Sequence, residues 1–200
     1  MMIQEQIAVG VTCPSRTMAG FSLYENAIHK LTIQYPSTWN KQEILLNNDY
    51  RGLEVMFAEG IRARFSNEED SEAMLRKIRD IVYNQYSAKV VLCLKRLPVH
   101  ESYTLNDVTD DHVHRLATCF DNVKLLERSY DSKMGDMPAS ELLYTYTDPL
   151  QNRLPKEGMK IISVKSDKEI AMTYNSQTHD FDRLLPTIRR MVDTFTIKGT

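Results

Sequence analysis

Apolar and polar residues exchange places along this chain in two rhythms, one of two residues and one of three to four. Leu31, Ile33 and Tyr35 alternate with Thr32 and Gln34, which predicts a strand with one wet face, ended by Pro36. Leu53, Val55 and Phe57 repeat the pattern around Glu54, after a turn at Gly52 and before Gly60. Residues 90–94 form a continuous apolar run with β-branched members, too short for a helix, which suits an inner strand covered on both faces. Four more strands are expected at 123–130, 139–147, 159–165 and 169–174. Turn signals at Gly135-Asp136, Asp148-Pro149 with Gly158, and Asp167-Lys168 separate them, and such short connections imply antiparallel neighbours. In the last strand Ile170, Met172 and Tyr174 share one face while Glu169, Ala171 and Thr173 share the other.

The slower rhythm appears three times. Met74, Leu75, Ile78, Ile81, Val82 and Tyr86 recur at helical spacing between Ser66 and Ser87, behind a Ser66/Glu69 capping box. A second helix runs from an N-cap at Thr104, with Asp107 three residues later, to about Phe120; its inward stripe is Leu105, Val108, His112, Leu116 and Phe120. The third carries Phe181, Leu184, Leu185, Ile188, Met191, Val192 and Phe195, with Pro186 as the first-turn proline of its main part, and is expected to lie as a lid over the sheet. Thr196-Ile197 ends the fold. Residues 1–20 show neither rhythm and are taken as an N-terminal arm. The remainder, 21–198, is expected to be a single domain with a helical insertion at about 62–88, since no repeat or linker divides it. The fold class that follows is α+β, an antiparallel sheet sandwiched between helices in α/β/α order.

Composition narrows the function. With 42% apolar and 26% charged residues among 200, the chain can bury roughly 70% of its unfolded surface. Lys and Arg number 25 against 27 Asp and Glu, and basic pairs such as Lys95-Arg96 and Arg189-Arg190 stand apart, so no nucleic-acid partner is expected. No run approaches the ~20 apolar residues of a membrane span, and the first twenty residues lack a secretory pattern. Three widely spaced cysteines, Cys13, Cys93 and Cys119, suit a reducing compartment, and the expected location is cytoplasmic.

The residues that carry the family likeness are Phe21 to Asn26, the stretch LTIQYPSTW from Leu31 to Trp39, Val55-Met56-Phe57, Met137-Pro138-Ala139 followed by Leu142 to Tyr146, and Met172 to Ile197. Together they resemble the PsbP-like domain, a fold named for the photosystem II extrinsic protein and shared with a Ran-binding nuclear-transport factor. The resemblance covers about residues 20 to 198 and leaves out the helical segment near 62 to 88. It implies an antiparallel sheet between helix layers and a non-catalytic binding or assembly role, in a non-photosynthetic member. The matched Tyr35, Pro36, Trp39, Pro138, Ala139 and Phe195 are of types that build turns and cores, so no binding site carries over with them.

Catalytic signatures are absent: there is no G-x-S-x-G, H-E-x-x-H, Walker loop or C-x-x-C. The densest group of metal-ligand types is Asp110-Asp111-His112-Val113-His114. Helical geometry turns His112 toward the apolar stripe and leaves Asp110 and His114, one turn apart, as the metal-binding candidates for Mn or Zn. Two ligands fall short of a closed site, and a solvated helix face is the simpler expectation. His112 and Cys119 share a face but stand about 10 Å apart along the helix, which favours a partly buried histidine and a buried thiol over nucleophilic chemistry. Leu142, Tyr144 and Tyr146 fall on one strand face and could line a ligand groove beside the C-terminal helix, although core packing is the commoner fate of such residues. The expected function is a non-catalytic domain that binds a protein partner without a cofactor. The alternative is a metal- or small-ligand-binding domain, with enzymatic activity left open.

Overall fold

The computed structural model describes residues 18–46, 52–59, 88–98, 103–149 and 154–198, with side chains unassigned at 44–46. The helix expected at 66–87, and the arm up to residue 17, lie outside the described residues.

Among the described residues ten strands form two antiparallel sheets, accompanied by two helices. β1 (Phe21–Asn26) pairs with β2 (Leu31–Pro36) through the turn at Lys30, whose φ is 54°. β10 (Thr196–Ile197) adds to the other side of β2. The larger sheet has seven strands: β3 (Asn40–Leu46), β4 (Gly52–Glu59), β5 (Ala88–Arg96), β6 (Asp121–Met134), β7 (Met137–Thr147), β8 (Pro155–Lys165) and β9 (Lys168–Gln177). They lie in the order β3-β4-β5-β9-β8-β7-β6. Helix α1 (Leu105–Cys119) connects β5 to β6, and α2 (Thr178–Asp193) follows β9.

The period-two pattern fixes which side chains meet. Register aligns Leu53, Leu94 and Ile170 in one row, Val55, Leu92 and Met172 in the next, and Phe57, Val90 and Tyr174 in a third, all buried. On this face sit Phe181, Leu184, Ile188, Met191 and Val192 of α2, together with Tyr24, Leu31 and Ile33 of the small sheet. Burying each large apolar side chain is worth about 1.5–3 kcal/mol, so this layer carries most of the hydrophobic stabilisation. On the opposite face Leu142, Tyr144, Tyr146, Ile162 and Ala171 pack against Val108 and Leu116 of α1. The molecule is therefore mainly β, with helices packed on the larger sheet. It departs from a plain α/β/α sandwich because α2 shares its layer with a second sheet.

Several local expectations change. β3 was not anticipated, because Asn40 to Glu43 are polar and mask the strand rhythm. β5 is an inner strand, but within the run 90–94 only Val90, Leu92 and Leu94 are fully buried; Val91 and Cys93 on its other face are half-buried. Pro186 does not begin a helix: α2 starts at Thr178 and contains the proline. Pro186 and Asp182, whose carbonyl loses its partner, are both exposed, so water can serve that carbonyl. Gly158 lies within β8 rather than in a turn. Gly135, by contrast, is a turn glycine in a left-handed conformation of φ 56°, and its N–H donates to the Val192 carbonyl at 3.0 Å. A Cβ there would come within 2.0 Å of the Phe195 carbonyl oxygen.

Candidate functional site

Helix α1 is fixed at its start by a capping box. The Thr104 hydroxyl accepts from the Asp107 N–H at 3.2 Å, and the Asp107 carboxylate accepts from the Thr104 N–H at 2.9 Å. From that start, i, i+4 spacing turns Val108, His112 and Leu116 onto the sheet. Beside them Thr109 meets Ser140 of β7 through its hydroxyl.

His112 is only 5% exposed, and both ring nitrogens are engaged. Nε2 lies 2.8 Å from Oε1 of Glu169 on β9, and Lys160 Nζ of β8 lies 3.2 Å from Nδ1. Glu169 is also approached by Lys95 Nζ of β5 at 3.8 Å and by Arg115 of α1 at 3.7 Å. Burial pushes the His112 pKa below its ordinary value, with Lys160 and Arg115 adding to the effect and Glu169 opposing it. Burial raises Glu169, but the His112 hydrogen bond and the cations outweigh it, and the net direction is down. Lys160 is lowered to about 8, first by burial and then by Arg115. Cys93, on the same side of the sheet, is raised to about 11 by burial and by Glu54 and Glu169, so its thiol is protonated at neutral pH. The cluster joins four elements through ionisable groups, and sequence alone showed only one of its members on an inward face.

The other anticipated residues do not join this cluster. Asp110 is exposed and forms an ion pair with Arg128 of β6, while His114 is exposed one turn further on. Among the described residues no three His, Cys, Asp or Glu side chains gather as a metal would require. Cys119 is exposed rather than buried, since the helix ends there and turns its last residues outward. Leu142, Tyr144 and Tyr146 do share a face, but that face is core: Phe120 packs on Tyr146 at 4.4 Å between centroids, and Tyr146 on Tyr144 at 5.7 Å. The face lies under α1, on the opposite side of the sheet from the C-terminal helix.

Three of the large apolar residues exposed to solvent fall on one strand. β6 is one of the two edge strands of the large sheet as described, and it exposes Leu125 at 42%, Leu126 at 61% and Tyr130 at 41%. Three register shifts interrupt its ladder with β7, and Lys124, Glu127, Arg128, Asp131 and Lys133 punctuate it. Bulges and charges of this kind discourage another strand from adding to the edge.

Comparison with solved structures matches this arrangement. A cyanobacterial PsbP from Synechocystis sp. PCC 6803 superposes with a TM-score of 0.59 at 11% identity, covering 94% of this chain and 98% of the other. The fold is PsbP-like. The same PsbP-like arrangement is found in the Ran-binding protein Mog1p of Saccharomyces cerevisiae, with a TM-score of 0.51 at 10% identity over 88% of this chain and 95% of that one. A Pseudomonas aeruginosa protein of unknown function, described as a putative regulator, matches at 0.50 and 11% identity, over 91% of this chain and all of its own. No family model and no curated protein matches this PsbP-like chain by sequence. No helix among the described residues is long and apolar enough to cross a membrane.

Proposed function

We propose that this chain is a non-catalytic PsbP-like domain that binds a protein partner or serves as an assembly factor. The observation that carries the reading is the β6 surface, where three large apolar side chains stand in solvent on one strand. Mog1p, a Ran-binding protein of the same fold, supports it by analogy. The partner that fits is a folded protein with an apolar centre ringed by charges of both signs, matching Leu125, Leu126 and Tyr130 among Lys124, Glu127, Arg128 and Asp131. A photo-crosslinking residue placed at Leu126 should capture one defined protein in cells, while the same group at Asp182, exposed on α2, should not. Equal labelling at both positions, or none at Leu126, refutes the reading.

A further inference from the structure

The partners of His112 determine its ionisation state from two sides. An ammonium carries only donors, so the 3.2 Å contact from Lys160 requires Nδ1 to be the unprotonated nitrogen. Glu169, kept ionised, can only accept, so the ring proton sits on Nε2 and points at Oε1, 2.8 Å away. The imidazole is thus held neutral in a single tautomer, assigned by what surrounds it.

We infer that the seating of α1 on the sheet is a proton-sensitive latch: a second proton on His112 sets Nδ1–H against the Lys160 ammonium and releases the helix from the sheet. The elements that reach the ring bring charged or titratable groups, while β6, also packed on α1, holds that helix through the Arg128–Asp110 pair away from the ring. β8 brings Lys160; β9 brings Glu169; β5 brings Lys95 and Cys93; α1 itself brings Arg115 and Asp111. The buried carboxylate of Glu169 is already shared by Lys95, Arg115 and His112, so it has little left to offer an imidazolium. Release would uncover Leu142, Tyr144, Tyr146 and Ile162, which are buried beneath α1.

The sign follows from linkage. A histidine whose folded pKa lies below its unfolded value of about 6.5 contributes stability that is fully present above that pH and is lost as pH falls toward the folded pKa. One extra proton bound on release makes the equilibrium change by up to about tenfold per pH unit in that window.

Hydrogen exchange of the α1 and α2 amides between pH 7.5 and 5.5, corrected for intrinsic rates, tests the latch. Protection in α1 should fall by up to about tenfold per unit below pH 6.5, while α2 holds. In Lys160→Met the opposing donor is gone while burial still disfavours the charge, so the fall should become shallower and the His112 ring should titrate at higher pH by NMR. His112→Gln, which cannot take the proton, should remove the fall, and it keeps the test open if the lysine variant fails to fold. Loss of protection in both helices together, the same fall in either variant, or a wild-type His112 midpoint at or above 6.5 overturns the inference.

Discussion

Gly158 and Tyr144 face each other across β8 and β7. A Cβ on Gly158 would lie 2.4 Å from Cζ of the ring, and the ring cannot retreat, because it is fully buried and its hydroxyl donates to Asn175 at 3.2 Å. Gly158→Ala should therefore destabilise the fold by about 1–3 kcal/mol through overpacking. Denaturant unfolding followed by the single tryptophan, Trp39, which is buried in the main core, reads this directly. No loss of midpoint would show that the ring can move. Sequence reading misplaced this glycine because glycine most often marks a turn, and only the register with Tyr144 reveals that it makes room for a side chain. His112 was half legible for the same reason. Its spacing from Val108 and Leu116 turned it inward, but Lys160 and Glu169 lie 48 and 57 residues away and nothing local announces them.

Among the elements, α1 was readable almost to the residue because its signals are local: a cap, an acid three residues on, and one apolar stripe. Thr104→Ala should remove the cap and cost about 1 kcal/mol, measurable as a lower melting temperature and faster exchange in the first turn of α1. An unchanged melting temperature would mean that packing on the sheet alone holds the helix start. α2 was legible in its apolar face but not in its beginning, because the usual preference for proline in a first turn gives no hint that an exposed proline can also be tolerated within a helix. Each helix is pinned to the large sheet through one buried carboxylate: Glu169 meets His112 of α1, and Glu141 of β7 takes both terminal nitrogens of Arg189 from α2. These pairs fix where each helix rests, while the apolar rows supply the adhesion.

For the molecule as a whole, the strands themselves were largely legible, but their partition into two sheets was not. Alternation tells which side chains share a face and says nothing about which strand lies beside which. β10 is two residues long, too short for any rhythm, yet it completes the small sheet. Its anchor is Phe195, fully buried in the core, with Lys165 Nζ donating to the Ile197 carbonyl at 2.6 Å and the Lys198 N–H donating to Lys30 at 2.9 Å. Phe195→Ala should cost roughly 3–5 kcal/mol and free β2 from β10. Faster exchange at Thr32 together with a lower unfolding midpoint would confirm it, whereas a loss under 1 kcal/mol would show that the small sheet stands without that anchor.

The bond between the Thr32 and Thr196 hydroxyls, 2.8 Å long, joins positions 164 residues apart. During synthesis β2 must keep this rim unmatched until the chain 164 residues further on has been translated. Closing so long a loop carries an entropic cost that the local β1–β2 hairpin does not, so the third strand of this small sheet joins after the hairpin rather than with it.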